Sequence, residues 1–332
     1  MAAKGKTLNI GITIGDPAGI GPEVALKALR ELKEKENRLR FILIGREKVL
    51  KNMYKDMLPE YTTVSGIFVP ERLGNLPLIY NVECDYPLPV AGQANVLTGA
   101  ESKLYIDAAL ELWKAGHIDA IVTGPVHKGF IEKSGTPFTG HTEYMAGYIG
   151  EEFPFMMMFS PKYRTLLATT HVPLASAASL VTRERLVQVI SAGYESIKLI
   201  DGADVKIAVT GFDPHCGDDG AIGDFDIKVT AKAVEDAKGL GIPVEGPFSA
   251  DTLFMPEKWS AYNLVIAHYH DQGLIPFKML AFDEGVNVTL GLSLVRTSVD
   301  HGTALDIAGK GIAKHNSMVE AIKLAAVLAG SA

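Results

Sequence analysis

The chain has 332 residues, of which 47% are hydrophobic and 21% charged, a composition typical of a globular protein with room for two domains. A formal net charge of −7 argues against a broad nucleic-acid or membrane-surface footprint, and no apolar run reaches the roughly 18 residues of a membrane span. Two cysteines, Cys84 and Cys216, are too few for a disulfide framework and fit a reducing compartment. These features predict a cytoplasmic enzyme with no nucleic-acid or membrane partner.

Short apolar runs rich in β-branched residues predict strands that are covered on both faces. They lie at residues 8–14, 41–44, 120–123, 166–170, 206–210, 264–267 and 286–290. Segments with helical periodicity lie between them, at 100–113, 183–199, 226–238 and 317–328, with Thr182 and Ser317 as predicted N-caps. The main breaks are at 73–77 and 211–223. This alternation indicates α/β architecture with a largely parallel sheet.

A first polar cluster, GDPAGIGPE at residues 15–23, directly follows the first predicted strand. Its glycines and prolines shape a turn into a helix, with Pro22 at the first helical position. The cluster does not match the glycine-rich dinucleotide fingerprint. A structural turn and a binding loop are therefore equally open interpretations.

A second cluster combines TGPVHKG at residues 123–129 with TGHTE at 139–143. A helix N-terminus flanked by histidine and threonine side chains can hold a phosphate. Helix capping would explain the threonine, but it does not explain why His127, Lys128 and His141 occur together. An anion-binding site is therefore favoured over capping alone.

Three of the nine histidines, His171, His215 and His270, each follow a predicted strand in polar surroundings. Three imidazoles with an open fourth position could hold a catalytic divalent metal ion. Long-range spacing carries no specificity, however, and separate hydrogen-bonded histidines are the commoner arrangement. His268 would face the opposite side of a strand from His270, so at most one of the two should join such a site.

Lys278, Asn287 and Arg296 form a third polar group, on a loop, a strand start and a strand end. Two cations and an amide suit a phosphate or a carboxylate, and the arginine offers a bidentate fork. Solvated surface charges explain the same residues equally well.

The most distinctive segment runs from residue 286 to residue 316 and contains HGTALDIAGKGIA at 301–313. Glycines at 302, 309 and 311 let the backbone approach a ligand closely. His301 offers a stacking face and Asp306 a carboxylate, the two groups that an adenosine would use. We call residues 301–313 the adenosine-type loop.

Together these segments resemble the 4-hydroxythreonine-4-phosphate dehydrogenase family of pyridoxal-phosphate biosynthesis, nearly end to end. The matching motifs are GDPAGIGPE at 15–23, TGPVHKG at 123–129, FTGHTE at 138–143, TTHVPL at 169–174, ADTLF at 250–254, HYHDQG at 268–273 and VRTSVDHGTALDIAG at 295–309. The adenosine-type loop also resembles that of the isopropylmalate and isocitrate dehydrogenases, whose fold this family shares.

The resemblance implies an α/β fold of two α/β/α domains with a cleft between them, isopropylmalate dehydrogenase-like. Residues 1–135 plus 285–332 would form a first domain that carries the adenosine-type loop. Residues 136–284 would form a second domain with the metal ligands and the dimer contacts. The family also implies a homodimer with the active site at the subunit interface.

The resemblance assigns roles to matching positions. The ligands of one divalent metal ion per site (zinc, cobalt or magnesium) would be His171, His215 and His270, one of them supplied by the partner subunit. Substrate would be bound by His141, Thr142, Lys278, Asn287 and Arg296, and the dinucleotide by His301, Gly302 and Asp306. Because a carboxylate at 306 would repel a 2′-phosphate, NAD is favoured over NADP.

The implied reaction is oxidation of the 3-hydroxyl of 4-phosphooxy-L-threonine by NAD, followed by decarboxylation to 3-amino-2-oxopropyl phosphate. Catalytic candidates are Asp251 and Asp271 as proton acceptors, together with Lys278. Two other classes are alternatives: a phosphate acyltransferase of the same broad fold, and a metal-dependent phosphohydrolase suggested by His-Asp-Gln-Gly at 270–273.

Some positions depart from the family pattern. Asp213, Cys216 and Asp218 stand where the family usually has Asn, Ala and Glu around its middle histidine. Residues 270–287 and 309–318 look closer to a sister group that acts on 4-phospho-D-threonate or 4-phospho-D-erythronate, whereas TGPVHKG and VTLGL look like the vitamin branch. The sequence therefore leaves the substrate open between these two.

Overall fold

The computed structural model describes residues 7–36, 38–66, 76–151 and 154–330. Its strands are β1 Leu8–Thr13, β2 Leu39–Gly45, β3 Thr62–Val64, β4 Leu78–Asn81, β5 Ala120–Thr123, β6 Phe155–Phe159, β7 Arg164–Leu167, β8 Ile207–Thr210, β9 Val244–Phe248, β10 Leu264–Ala267, β11 Val286–Leu290 and β12 Arg296–Val299.

The α-helices are α1 Gly21–Leu32, α2 Glu47–Met53, α3 Val96–Lys114, α4 Lys128–Lys133, α5 His141–Ile149, α6 Leu174–Leu180, α7 Arg183–Asp201, α8 Ala231–Gly239, α9 Ala250–Leu253, α10 Pro256–Trp259, α11 His270–Ala281 and α12 Asn316–Gly330. Shorter helical turns lie at Lys55–Met57, Pro214–Gly220 and Asp226–Thr230. Among the described residues, no helix is both long enough and apolar enough to cross a membrane.

The chain divides into two compact units, Met1–Glu152 with Leu292–Ala332, and Phe153–Gly291. Residues 136–152 thus lie in the first unit and 285–291 in the second, the reverse of the predicted assignment. Helix α5 is tied to the first unit because the Tyr144 hydroxyl donates to the Asp107 carboxylate of α3 at 2.6 Å. Strand β11 is tied to the second because it pairs with β6.

The first unit is built on a parallel sheet with the strand order β3-β4-β2-β1-β5-β12. The side chains of its central strands β1 and β5 are buried on both faces, and α3 and α12 contact both strands. Because parallel strands end at the same edge, the segments that follow β1, β5 and β12 meet there.

The second unit has the strand order β11-β6-β7-β10-β8-β9. Strands β7, β10, β8 and β9 are parallel, whereas β6 runs antiparallel to β7 and β11. Its core surrounds the fully buried Trp259, whose ring packs against Tyr163 and whose Nε1 donates to the Arg164 carbonyl at 3.2 Å. The predicted α/β class with a largely parallel sheet is confirmed.

Five of the described strands, β3, β4, β6, β9 and β12, were not predicted from the sequence. For β6 and β12 the physical reason is clear. Strand β6 reads FMMMF and lacks the β-branched residues by which a strand is recognised. Strand β12 reads RTSV, and its polar residues are buried because they have partners, such as the Ala321 carbonyl that accepts from Thr297 Oγ1 at 2.8 Å.

The predicted cap at Thr182 is confirmed, since its side chain accepts from the Arg185 amide at 3.1 Å. The predicted cap at Ser317 is wrong: α12 begins at Asn316, and Ser317 Oγ instead accepts from the Asp300 amide at 3.3 Å. Of the predicted break at 73–77, residues 73–75 lie outside the described residues.

Candidate active site

Arg296 lies at the start of β12 and is only 3% exposed. Its Nη2 donates to Thr123 Oγ1, at the end of β5, at 2.7 Å, and its Nη1 donates to Thr142 Oγ1, in α5, at 3.4 Å. Burial lowers the pKa of Arg296 to about 10, with nearby Glu143 opposing the shift, so the guanidinium is charged at neutral pH. The structure therefore brings Arg296 and Thr142 together, two of the predicted substrate-binding residues.

His141 is the first residue of α5, with Gly140 rather than Thr139 at the N-cap. Burial, and then the charges of Arg296 and Lys128, hold its pKa well below the usual range, so its imidazole is neutral. Its Nε2 is buried without a hydrogen-bond partner in the described part of the chain. Two cations, an enclosed imidazole nitrogen and a helix N-terminus form an anion cradle in the first unit.

In the cluster at residues 15–23, Asp16 has structural hydrogen-bond partners. Asp16 is fully buried, and its carboxylate accepts from the Ala18 amide at 3.0 Å and from Thr98 Oγ1 at 3.2 Å. Burial raises the pKa of Asp16, while these two hydrogen bonds act against that shift. Pro22 is the second residue of α1, after Gly21, one position later than predicted.

The adenosine-type loop follows β12 and offers groups that fit a dinucleotide. Nδ1 of His301 lies 3.0 Å from the Gly302 carbonyl, so it carries the proton, and Nε2 is a buried acceptor without a partner among the described residues. A Cβ added at Gly302 would meet nothing within 4 Å, so there is open space beside Gly302. The Asp306 carboxylate is exposed. Of the predicted cofactor residues, His301 thus offers a hydrogen-bond acceptor, Gly302 offers open space and Asp306 offers a negative charge.

In the second unit, the three candidate metal ligands follow three neighbouring parallel strands: β7 precedes His171, β10 precedes His270 and β8 precedes His215. The rings of His171 and His270 have centroids 5.7 Å apart. Two imidazoles on one tetrahedral ion would stand about 5 Å apart, so this pair fits two ligands. Within the described residues, however, no group of three metal-ligand side chains gathers, and His215 is not joined to the pair.

The partners of His270 and His215 bear on the choice of proton acceptor. His270 Nδ1 lies 2.7 Å from Asp271 Oδ1, which leaves His270 Nε2 free for a ligand and gives Asp271 an orienting position. Ser249 Oγ donates to Asp251 at 2.6 Å and lies 3.5 Å from His215 Nδ1. That hydrogen bond, and then the nearby His215, lowers the pKa of Asp251, which makes it a weaker base.

The two remaining candidates, Lys278 and Asn287, lie on α11 and β11 of the second unit. Lys278 is half-buried. Asn287 Oδ1 is buried and has no hydrogen-bond partner among the described residues. A buried amide oxygen of this kind is expected to meet a donor when a ligand binds.

His268 and Gln272 explain much of the HYHDQG motif structurally. His268 is fully buried between Thr210 Oγ1, 3.1 Å from Nδ1, and Thr230 Oγ1, 3.2 Å from Nε2. Burial lowers its pKa to about 4, with Asp226 opposing the shift, so it is neutral at pH 7. Gln272 accepts from the His268 amide and donates to the Gly211 carbonyl, both at 2.8 Å. His270 and Asp271 of this motif have no such structural role and are candidates for chemistry.

The turn Pro214–Gly220, which we call the left-handed turn, holds His215 in an uncommon backbone conformation. Six consecutive residues, 215–220, have positive φ, at 46° to 94°. Such a run is costly for residues with a Cβ. The Asp226 carboxylate holds its entry by accepting from the Phe212 and Asp213 amides at 2.8 and 2.9 Å. The departures at 213, 216 and 218 all lie in or next to this turn.

We expect Gly217→Ala to destabilise the protein by more than about 3 kcal/mol, because its Cβ would lie 2.1 Å from the Gly223 carbonyl oxygen. Gly220→Ala is the matched control: φ is +94° there too, but the nearest atom lies 3.8 Å away. It should cost only about 1 kcal/mol. Thermal denaturation of both variants measures the difference in stability. Equal losses of stability would show that the backbone shifts to accommodate the added Cβ at 217, against the prediction.

Several residues of this arrangement were absent from the predicted site. Thr123 ends β5 and looked like an ordinary strand residue, although its position beside a polar cluster was a usable signal. Lys128 affects His141 and was noted only as part of a cluster. Ser249 links His215 with Asp251 and had no sequence signal, since its position depends on β9 lying beside β8.

The chain is thus an α/β protein with an anion cradle, the adenosine-type loop and the pair His171 and His270. Residues 37–325 match the family model "PdxA: Pyridoxal phosphate biosynthetic protein PdxA". The chain is 39% identical over 96% of its length to a 4-hydroxythreonine-4-phosphate dehydrogenase of Desulforapulum autotrophicum, covering 95% of that protein. It is also 39% identical to a candidate D-threonate 4-phosphate dehydrogenase of Clostridium botulinum, with 96% of each covered.

Among solved structures, the 4-hydroxythreonine-4-phosphate dehydrogenase of Klebsiella pneumoniae is 32% identical with a TM-score of 0.81, over 97% of this chain and 99% of that one. The chain belongs to the PdxA family, and the predicted family and fold are confirmed. Because the named relatives are dehydrogenases, it is an oxidoreductase rather than an acyltransferase or a phosphohydrolase.

Proposed function

We propose that this chain is an NAD-dependent, divalent-metal-assisted dehydrogenase that oxidises the 3-hydroxyl of 4-phosphooxy-L-threonine. Loss of CO2 would then give 3-amino-2-oxopropyl phosphate for pyridoxal 5′-phosphate biosynthesis. The observation that carries the proposal is the anion cradle, where the charged, buried Arg296 stands beside neutral His141 and Thr142. A phosphorylated substrate supplies an anionic group of the kind that an arginine and a helix N-terminus bind.

The chain's own residues have distinct tasks in this reaction. Arg296 and Thr142 fix the substrate's anionic group, and His141 adds a neutral polar contact. His171 and His270 would hold the metal ion, which when bound supplies Lewis-acid polarisation of the substrate's oxygens. Asp271 fixes the ring of His270. Lys278 and Asn287 remain proposed substrate contacts, and a homodimer, with a third ligand from the partner subunit, remains part of the proposal.

As the proton acceptor we propose Asp251 in preference to Asp271, although its lowered pKa weakens it as a base. Asp271 is engaged with His270 at 2.7 Å, so moving a proton onto it would disturb the ring that it orients. Asp251 is exposed and ionised, and Ser249 Oγ beside it can pass a proton on. Lys278 is the remaining catalytic candidate.

A second substrate class has a specific observation in its favour. The Clostridium botulinum relative, named for D-threonate 4-phosphate, is as similar to this chain as the phosphothreonine enzyme. The turn that carries His215 is also where Asp213, Cys216 and Asp218 depart from the family pattern. Oxidation of 4-phospho-D-threonate or 4-phospho-D-erythronate is therefore the alternative activity.

The deciding experiment measures NADH absorbance with purified, metal-replete protein and 4-phosphooxy-L-threonine or 4-phospho-D-threonate in parallel. A higher kcat/KM with the amino acid supports the proposal, and a higher value with the threonate supports the alternative. If folded protein that contains metal forms no NADH with either compound, both activities are rejected. Replacing NAD by NADP tests the cofactor in the same assay.

We expect Asp306→Ala to raise the Kd for NAD about tenfold or more while the KM of the phosphorylated substrate changes little. The reason is that the substitution removes an exposed carboxylate that would accept hydrogen bonds from the ribose hydroxyls of NAD. Titration calorimetry gives the Kd directly. The control is Asp204→Ala, which removes an exposed carboxylate of the second unit and should leave the NAD Kd unchanged. An unchanged NAD Kd in Asp306→Ala would count against the adenosine role of Asp306.

A further inference from the structure

Glu23 and Lys27 lie one turn apart on α1 and form a partly buried ion pair, with Lys27 Nζ 2.7 Å from Glu23 Oε1. Glu23 is fully buried. Its carboxylate accepts from the amides of Gly311 at 3.2 Å and Ala313 at 2.8 Å. Lys27 Nζ donates to the carbonyls of the same two residues, at 2.9 and 2.8 Å. One side-chain pair thus holds both backbone polar groups of two alternate residues.

This arrangement resembles the pairing of a strand, in which alternate residues exchange N–H and C=O bonds with a neighbour. Here a carboxylate and an ammonium take the neighbour's place. Hydrogen bonds to charged groups are stronger than neutral ones, so the pair holds the end of the adenosine-type loop firmly. Without it, two amides and two carbonyls of residues 311 and 313 would lose their partners.

Two further contacts tie the same loop to the segment before α1. The Ile20 amide donates to the Thr303 carbonyl at 3.0 Å. The Tyr54 hydroxyl donates to the Gly19 carbonyl at 3.5 Å and hydrogen-bonds the Gly309 backbone. The loop is therefore held at its start, its middle and its end, and at its end the contacts come from charged side chains.

We propose that Glu23 and Lys27 are positioning residues that set the affinity for the dinucleotide by fixing residues 309–313, without touching it. This inference rests on the proposed NAD site. It assigns a task to the end of the GDPAGIGPE motif, which holds the cofactor loop from behind. The hydrogen bonds of the pair go to the loop backbone and to each other, so changes to the pair should affect NAD and leave the phosphorylated substrate unaffected.

The test compares Lys27→Met, Lys27→Arg and Glu23→Gln with Lys51→Met, which removes the cation of another i,i+4 pair, Lys51 with Glu47 on α2. We expect Lys27→Met and Glu23→Gln to raise the Kd for NAD about tenfold, with substrate KM and kcat at saturating NAD nearly unchanged. Lys27→Arg should restore most of the affinity, because a guanidinium keeps several donors. Lys51→Met should leave the NAD Kd as in the unaltered protein.

Hydrogen exchange at the Gly311 and Ala313 amides supplies a readout that needs no cofactor. Exchange should be faster in Glu23→Gln than in the unaltered protein, since Glu23 protects both amides. Faster exchange with an unchanged NAD Kd would overturn the positioning role. Lack of NAD binding by the unaltered protein would instead reject the proposed function, so the two failures are distinguishable. A general loss of folding would lower Tm and change substrate KM and kcat together, which would also overturn the proposal.

Discussion

Arg296→Lys should lower kcat/KM for the phosphorylated substrate about 10- to 100-fold. The guanidinium reaches Thr123 with one nitrogen and Thr142 with another, and a lysine offers only a point charge at the end of a flexible stem. One hydrogen bond to a charged group contributes ~1.5–3 kcal/mol, which corresponds to this range. Steady-state NADH formation at varied substrate and saturating NAD gives the value, and most of the loss should be in KM.

The control for this change is Arg164→Lys, which alters a buried arginine of the second unit paired with Asp201. That variant should lose stability and keep the substrate KM. If Arg296→Lys behaves in the same way, losing Tm while its KM stays normal, Arg296 is a structural residue and the anion cradle is assigned incorrectly.

His270→Ala should remove most of the bound divalent metal and nearly all activity, with little effect on the stability of the metal-free protein. The ring is 36% exposed, and its hydrogen-bonding partner Asp271 is also at the surface, so few buried contacts are lost. Substitutions of this kind usually change stability by less than about 0.5–1 kcal/mol. Metal content by mass spectrometry and the Tm after chelation are the two measurements.

His268→Asn, two residues away, should give the opposite result. It removes a fully buried ring and leaves the Thr230 hydroxyl without a partner, so a loss of about 2–4 kcal/mol is expected. Metal content per folded protein should be retained, because both ring nitrogens of His268 are occupied by threonines. If His268→Asn lost the metal and His270→Ala retained it, His268 would be the metal ligand and His270 the structural residue.

The sequence by itself determined the features that depend on local pattern. Apolar β-branched runs predicted β5, β10 and β11 at their observed bounds, and the hydroxyl of Thr182 predicted the start of α7. The motifs at 123–129 and 301–313 follow β5 and β12, where ligands bind in parallel sheets. The family likeness was readable because these motifs are continuous in the chain.

Only the tertiary structure decided how distant residues combine. The order β7-β10-β8 places His171 beside His270, and no spacing in the chain contains that order. Burial gives His268 and His270 different roles. Both ring nitrogens of His268 are hydrogen-bonded, whereas Asp271 engages one ring nitrogen of His270 and the other can bind a ligand. Hydrogen bonds across 288 and 290 residues made Glu23 a support of the adenosine-type loop. Local propensity acts over a few residues, whereas strand order and desolvation depend on the whole fold, and so these assignments required the structure.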